Sequence, residues 1–313
     1  MATYDSIINR ADSNDPFVPV PISAEVIRDM PRSSAVLQLA RRVTMSSKTA
    51  RQPVASALPS AYFVSGDTGL KQTTEATWGN LELVAEEMAV IVPIPEAYLA
   101  DSQVPVWDEV RPLIAEAFGR AIDQACLFNT NKPSTWGSAI VNGAVSAGNA
   151  PNEGSGDDLA AEVAQLGVLL EQDGYEVTGF ASGPGLRWRL VQLRSTDGIP
   201  IYSAPREGVA GTLYGYTLGS AMNGAWNNSV ATLIAGDWSK AILGVRQDLT
   251  YRMFTEGVIS DASGNVVLNL MQQDSVALRV TARFAWQIAN PNNPINTTEA
   301  TRFPFAVLEP SGS

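Results

Sequence analysis

The stretch AGDWSKAILGVRQDL, residues 235–249, sets charged and aromatic side chains among small and apolar ones. Such a mixture suits either a catalytic loop or a turn and strand that hold a scaffold together. Asp237 favours a turn, because its side chain can accept hydrogen bonds from its own backbone, and Trp238 can pack where a strand starts. The apolar run 241–245 predicts a short strand, and Arg246 opens the longer strand that follows. The stretch is therefore interpreted as structural.

The composition removes much of the chemistry that an enzyme would use. The chain has 313 residues, no histidine and a single cysteine, Cys126. Without histidine, no Ser-His-Asp or Cys-His nucleophile and no His-containing zinc site can form. One cysteine permits no intrachain disulfide, and its place after an amphipathic run predicts a buried, unreactive side chain. We therefore predict no catalytic, cofactor-binding or metal-binding residues.

The protein is acidic as a whole, with a formal net charge of −11. This charge excludes a protein that binds nucleic acid through its overall electrostatic field. Only 17% of the residues are charged, against about a quarter in average proteins. A thinly charged surface of this kind is found in proteins that bury much of their surface against partners, and also in some monomers.

Residues 32–51 depart from the acidic balance, because they include basic residues and no acidic one. The basic residues are Arg32, Arg41, Arg42, Lys48 and Arg51. Such a segment predicts an acidic partner, of which the face of a neighbouring subunit is the simplest. Contact with nucleic acid is the less favoured alternative, because no aromatic residues alternate with the charges to stack on bases.

Neither export nor a membrane is indicated. Residues 1–15 carry charges where a signal peptide needs an apolar core. The most apolar window, residues 89–100, includes two prolines and a glutamate and is too short to span a bilayer. We therefore expect a protein that stays soluble in the cytoplasm of the cell that makes it.

Residues 46–94 have the pattern of a long β-hairpin with limbs at 50–64 and 81–94. Between the limbs, residues 65–80 form a polar tip with three glycines. The residues expected on one face of the return limb are Val84, Met88, Val90, Val92 and Ile94. A ribbon of two strands is marginal in water, so we expect it to lie on another chain. A hairpin folded over its own core is the alternative.

Two helices stand out downstream. Apolar residues recur at helical spacing over residues 106–128, where Pro112 implies a start near Glu109 or a mild kink. A second helix is predicted over 157–172, capped within Ser155–Asp157 and ended by Gly174.

Mostly extended structure is predicted near both ends of the chain. Residues 1–30 predict an arm with a short helix after Ser23. Near the other end, strands are predicted at 249–259 and 266–288, separated by a turn at 260–265.

The run Gly183-Pro184-Gly185 precedes Arg187 and Arg189, so an anion site is conceivable there. A turn from strand to helix explains the same residues, and we favour the turn. The chain lacks both the GxxxxGK[ST] and the GxGxxG phosphate-binding patterns.

Residues 235–250, AGDWSKAILGVRQDLT, resemble the GD(W/F) segment of tailed-phage major capsid proteins, the family with the Hong Kong 97 fold. Further segments resemble that family in the same order along the chain. They are PISAEVIRDMPRSSAVLQLARRVTM (21–45), LRWRLVQLRSTDGIPIYSA (186–204), GTLYGYTL (211–218), SVALRVTARFAWQI (275–288) and FPFAVL (303–308). Two departures are Tyr216, where proline is usual, and Ala285, where glycine is usual.

The resemblance implies an α+β fold with an N-terminal arm, an extended β-hairpin loop, a peripheral domain with a long spine helix, and an axial domain. The implied boundaries are 1–32 for the arm, 46–92 for the loop, 100–130 with 246–302 for the peripheral domain, and 131–245 with 303–313 for the axial domain.

The implied function is the shell of a virion, in which the chain assembles with itself into hexamers and pentamers around double-stranded DNA. Scaffolding is expected to be separate or absent, because the chain begins almost at the arm; portal and decoration proteins are further possible partners. With a net charge of −11, strong DNA binding is not expected. A cellular nanocompartment shell of encapsulin type is the alternative, and an enzyme is a distant third.

Some members of the family cross-link their shells covalently, through a Lys on the loop tip and an Asn beside a buried Glu of a neighbour. Lys71 is the only lysine of the tip, and Asn265, Asn269 and Glu256 lie in the predicted peripheral strands. No motif ties these residues to the reaction, and the polar tip offers no desolvated pocket to deprotonate a lysine. We therefore expect a salt bridge from Lys71 rather than a cross-link.

Overall fold

A computed structural model describes residues 34–64, 71, 73–74, 76–102, 105–154, 158–191, 202–203 and 212–311. The predicted arm 1–32 lies outside these residues, as do its short helix, residues 155–157 and part of the predicted hairpin tip.

The helices are α1 Ala35–Leu39, α2 Glu96–Asp101, α3 Val106–Phe128, α4 Ile140–Ala147, α5 Leu159–Gln172 and α6 Leu186–Val191. The strands are β1 Arg41–Thr44, β2 Thr49–Ala57, β3 Thr77–Val84, β4 Glu86–Pro95, β5 Gly179–Ser182, β6 Tyr202–Ser203, β7 Thr212–Leu213, β8 Tyr216–Ser220, β9 Leu233–Gly236, β10 Ala241–Phe254, β11 Val258–Ser260, β12 Val266–Asn269, β13 Ser275–Ile288 and β14 Phe305–Leu308.

A sheet of four strands, in the order β1-β10-β13-β4, is built around two strands of 14 residues each. β10 and β13 are antiparallel, with Ala241 opposite Ile288, and β1 runs parallel to β10. The strand predicted at 241–245 and the longer one after it are one strand, with irregular register between Val245 and Thr250.

The two predicted late strands are each divided. The first ends at Phe254, and β11 and β12 form a separate small hairpin around the predicted turn. The second is interrupted between Asn269 and Ser275, because the mostly polar residues there turn and Asp274 adopts a positive φ of 42°.

The hairpin is shorter than the sequence pattern predicted. β2 and β3 pair from Thr49 opposite Val84 to Ala57 opposite Thr77. The return limb then divides at Ala85, because β4 leaves the hairpin and pairs with β13. Of the predicted face, Met88, Val90 and Val92 pack against the core and Ile94 is buried, whereas Val84 is only half-buried. Leu83 is the fully buried residue of β3.

The long helix α3 covers the whole of the run 106–128 that shows helical spacing. It begins directly after Pro105, whose carbonyl oxygen accepts from the backbone nitrogen of Asp108 at 3.0 Å, so the expected start near Glu109 is three residues late. Pro112 is accommodated inside the helix. The buried face repeats every four residues, at Ile114, Phe118, Ile122 and Cys126.

The helix α5 begins two residues later than predicted. Its N-cap is Asp158, whose Oδ1 accepts from the backbone nitrogen of Ala161 at 2.8 Å. The predicted end holds, since Gln172 closes the helix and Gly174 follows at a φ of 77°.

The six-stranded sheet, in the order β14-β9-β5-β8-β7-β6, is covered on both faces. Ala181, Ile234 and Val307 face the same core as α3, α4 and the four-stranded sheet. The neighbouring residues Phe180 and Leu233 face the opposite side and pack with α5 and α6. Because side chains alternate between the two faces of a strand, this one sheet contributes residues to two hydrophobic clusters.

Candidate assembly surfaces

In the opening stretch, Asp237 and Lys240 contact neighbours within the same turn. Asp237 Oδ1 accepts from the backbone nitrogen of Ser239 at 3.1 Å and from its hydroxyl at 2.6 Å. Lys240 Nζ lies 3.8 Å from Asp237 Oδ2. These contacts form a tight turn between β9 of one sheet and β10 of the other, which confirms the structural interpretation.

Trp238 fixes this turn to both neighbouring strands. Its Nε1 donates to the carbonyl oxygen of Gly179 at 3.1 Å, and its ring packs edge-on against Phe305 with centroids 5.2 Å apart. Gly236 is required beside it, because a Cβ there would lie 2.1 Å from the ring of Phe305. We name residues 236–241 the sheet corner. Trp238 makes both its hydrogen bond and its ring contact within one chain.

The buried carboxyl of Asp123 was not anticipated from the sequence. It accepts from the hydroxyl of Ser34 at 2.5 Å, from the backbone nitrogens of Ala35 and Val36, and from Asn223 Nδ2 at 2.8 Å. Burial raises the pKa of Asp123, and the four hydrogen bonds partly offset that rise. The contacts fasten the start of α1 to α3. The signal in the sequence is an acid beside Ile122 on the apolar side of a helix.

The remaining chemical candidates are structural too. Cys126 is fully buried, and burial raises the pKa of its thiol well above the usual value. A Cβ on Gly183 would lie 2.2 Å from the ring of Trp226, so packing explains this glycine. Arg187 donates to the hydroxyl of Ser220 at 3.1 Å, and Arg189 pairs with Glu153.

Within the described parts of the chain, no group of three or more His, Cys, Asp or Glu side chains is arranged to hold a metal ion. None of the helices seen there combines the length and hydropathy of a membrane span.

The hairpin presents large apolar side chains to solvent. We name the described residues among 49–84 the hairpin arm. Its exposed apolar residues are Leu58, Tyr62, Phe63, Val64 and Trp78. Phe63 is fully exposed and Trp78 is 72% exposed. The arm is attached to its own chain through the buried Leu83, and through Asn292, whose backbone nitrogen and Nδ2 donate to the carbonyl oxygens of Ala55 and Ser56 at 3.0 and 3.1 Å. Large apolar side chains exposed on one arm favour an interaction surface.

A second exposed apolar set lies around the small hairpin of β11 and β12. Its members are Met253, Val258, Val266, Val267 and Met271, each more than half exposed. We name this set the distal strand surface. Like the hairpin arm, it is an apolar surface that is exposed among the residues that the structure describes.

The described basic residues between 32 and 51 are also at the surface. Arg41 and Arg42 lie on β1, an edge strand of the four-stranded sheet, and Lys48 and Arg51 are exposed beside them. Arg32 lies outside the described residues.

The residues considered for a cross-link are not assembled within one chain. Lys71 and Glu256 are both exposed. Asn265 Nδ2 donates to Asp261 Oδ2 at 3.1 Å, and Asn269 Nδ2 donates to Gln272 Oε1 at 3.0 Å. The absence of cross-linking stays a prediction.

Comparison with known proteins gives a consistent picture. The model of the phage capsid family matches residues 15–296. The major capsid protein of Staphylococcus phage 80alpha is 28% identical over 282 residues, which cover 85% of this chain and 79% of that protein.

Solved structures agree over almost the whole length. One from Microbacterium phage Oxtober96 has a TM-score of 0.84 at 38% identity, covering 98% of this chain and 100% of that one. One from Mycobacterium phage Adephagia has a TM-score of 0.83 at 30% identity, covering 98% and 99%. These relatives come from phages, which does not favour a cellular nanocompartment. The chain belongs to the phage capsid family and is a major capsid protein of a tailed bacteriophage, a component of the virion shell.

Proposed function

We propose that the chain assembles with itself into hexamers and pentamers of an icosahedral head that encloses double-stranded DNA, without catalysing a reaction. The observation that carries this proposal is the hairpin arm, where Phe63 is fully exposed and Trp78 is 72% exposed among the residues that the structure describes. We further propose that the arm of one copy lies over the distal strand surface of a neighbour, since each offers the apolar area that the other needs.

We propose that the chain is divided into four regions with different places in the shell subunit. Residues 1–32 act as an N-terminal arm and 46–92 as the extended loop. The peripheral domain comprises 100–130 with 246–302, and the axial domain comprises 131–245 with 303–313. The proposed peripheral domain is supported by the long helix α3 and the paired strands β10 and β13. The proposed axial domain is supported by the six-stranded sheet.

Shortening the arm tests the proposal. Ala57 pairs with Thr77, so residues 58–76 can be replaced by a two-residue Asn-Gly turn that continues the β2–β3 hairpin. We expect a folded protein with an unchanged melting temperature that forms no closed shells, as seen by electron microscopy. Loss of folding would show that the arm belongs to its own core, and normal shells would remove the arm from assembly.

Contact with DNA is proposed to be weak. The chain carries a net charge of −11, and apart from the pair Arg41–Arg42 its described basic residues are spread singly along the sequence. A weakly binding inner wall lets the genome slide during packaging and ejection. Duplex DNA should therefore bind the purified protein weakly; tight binding that falls steeply with added salt would contradict this view.

The shell is proposed to be held without covalent bonds between copies. Purified particles, boiled in denaturant, should run as a single band near 33.3 kDa. A ladder of covalent oligomers would overturn this expectation and direct attention to Lys71, with Asn265, Asn269 and Glu256.

A further inference from the structure

The hairpin arm is attached to its own chain at two places along its length. At its base, Leu83 is fully buried and pairs with Ala50. Nearer the tip, the backbone nitrogen of Asn292 donates to the carbonyl oxygen of Ala55 at 3.0 Å, and its Nδ2 donates to that of Ser56 at 3.1 Å. Ala50 and Ala55 are five residues apart along β2, which corresponds to about 17 Å. Two attachments at this separation give the ribbon a direction.

The side-chain amide of Asn292 can face only one way. Arg302 Nη1 donates to Asn292 Oδ1 at 3.0 Å. Because a guanidinium carries donors and no acceptor, the amide oxygen must lie on the side of Arg302 and the amide nitrogen on the side of Ser56. One side chain therefore joins the arm to Arg302.

Arg302 is itself held at the connection between the two main sheets. It is 3% exposed, and its guanidinium also donates to Asn290 Oδ1 at 2.9 Å and to the carbonyl oxygen of Asn296 at 2.7 Å. Asn290 follows the end of β13 in the four-stranded sheet, and Arg302 precedes β14 in the six-stranded sheet. Through Asn292, the arm is therefore linked to the segment that joins both sheets.

The loop that carries Asn292 has little conformational freedom. Residues 290–294 have the sequence Asn-Pro-Asn-Asn-Pro. The rings of Pro291 and Pro294 fix their own φ angles and restrict the residue before each of them. Asn292 lies between these restricted positions, so its donors stay in one place relative to the sheets.

A cavity beneath the arm leaves room for it to move when this link is broken. The cavity has a volume of about 320 Å³ and lies between Val54 and Gly79 of the arm and Thr297 and Glu299 of the loop. Packing therefore does not fill the space under this part of the arm. The hydrogen bonds of Asn292, at one side of the cavity, hold the arm at its distance from the loop.

We propose that Asn292 is a positioning residue, which sets the angle at which the hairpin arm leaves the subunit before the arm meets another copy. An arm that already has the required direction loses less conformational freedom on assembly, so assembly is favoured. Each such hydrogen bond shifts an equilibrium by about twofold to tenfold, so the link orients the arm and still allows it to adjust. This role rests on the proposed function, since it requires that the arm contacts another copy.

Two variants separate the link from the rest of the fold. Asn292→Ala removes both the donor to Ser56 and the acceptor of Arg302. Asn292→Asp keeps an oxygen for Arg302 but turns a second oxygen toward the carbonyl of Ser56, so the arm loses its donor while the buried guanidinium keeps its partner. In both variants only the backbone bond to Ala55 remains. Thr297→Ala is the matched control, because this exposed residue lines the same cavity and forms none of these bonds.

Spin labels report the direction of the arm in the unassembled protein. Ser60→Cys places one label on the arm and Gln165→Cys places the other on α5; both positions are exposed, whereas Cys126 is buried. Double electron–electron resonance should give one narrow distance distribution for the chain with Asn292 and for the Thr297→Ala control. For both Asn292 variants the distribution should be at least about twofold broader, since the arm loses a hydrogen bond that restricts it.

The rate of particle formation, followed by light scattering, is the second readout. It should fall at least about threefold in both Asn292 variants and stay unchanged in the control. An unchanged distance distribution, or a broader one with assembly at the wild-type rate, would overturn the positioning role while leaving the shell function intact. An equal effect of Thr297→Ala would overturn it too, because the effect would then belong to the loop as a whole. If the chain with Asn292 formed no particles, the proposed function would fail, and the distance measurement would still decide whether Asn292 directs the arm.

Discussion

Two tryptophans show how differently one chain uses the same side chain. Trp238 in the sheet corner is 3% exposed, with its N–H bonded to Gly179 and its ring against Phe305. Trp78 in the hairpin arm is 72% exposed. The corner is completed by the fold of one molecule, whereas in the proposed assembly the arm is completed by another molecule. Residues of the first kind should govern folding, and residues of the second kind should govern assembly.

The largest effect on folding is expected at the corner. Trp238→Ala removes a buried ring and leaves a cavity between two sheets, which should lower the free energy of unfolding by about 3–5 kcal/mol. Denaturant unfolding of the unassembled protein measures this loss. A change below about 1 kcal/mol would mean that the corner does not join the sheets as described.

A smaller loss is expected at the anchor between α1 and α3. Asp123→Ala leaves the hydroxyl of Ser34, two backbone nitrogens and Asn223 without their acceptor. The free energy of unfolding should fall by about 2–3 kcal/mol. Ser34→Ala is the comparison variant. It removes one of the four donors to Asp123 and the N-cap acceptor of the Leu37 nitrogen, and should cost about 1 kcal/mol, so equal losses from both variants would contradict the shared-acceptor picture.

A still smaller effect is expected from the pair of Arg189 and Glu153. The hydrogen bond from Arg189 lowers the pKa of Glu153. Its stabilisation is therefore present above the unfolded pKa of the carboxyl and is lost as the pH falls through the lower folded value. Arg189 is half exposed, so Arg189→Met should cost only about 0.2–1 kcal/mol at neutral pH.

The pH dependence isolates that pair. Unfolding measured from about pH 6 down to about pH 3 should show wild type and Arg189→Met converging as Glu153 becomes protonated. A difference that stays constant over this range would assign the loss to packing of the arginine stem instead of the charge.

The smallest effect on folding is expected in the arm. Trp78→Ser should leave the free energy of unfolding of the unassembled protein within about 0.5 kcal/mol of wild type, because the side chain is largely in water already. Particle yield should nevertheless fall, as measured by sedimentation. A large loss of stability would move Trp78 into the same class as Trp238 and break the comparison.

Local patterns were sufficient for the parts of the fold whose partners are close in sequence. The bounds of α3 follow from apolar residues repeating at helical spacing, and the turn at Asp237 follows from the chemistry of one side chain. Such features depend on neighbours a few residues away.

Features that depend on distant partners were missed or misplaced. The sequence pattern predicts β4 as the end of the hairpin limb, but β4 pairs with β13, which comes much later in the chain. The cavity lined by Gly167 and Tyr214 exists only because the β7–β8 turn folds back beside α5. Asp123 is an intermediate case, since an acid on an apolar helix face was visible while its partner Ser34 was not.

The most direct test is the structure of the assembled particle by electron cryo-microscopy. The account predicts closed shells in which the arm of each copy, with Phe63 and Trp78, is buried against the distal strand surface of a neighbour, while each sheet corner stays within its own chain. Shells in which the arm folds back on its own subunit, or in which Trp78 remains in solvent, would contradict it.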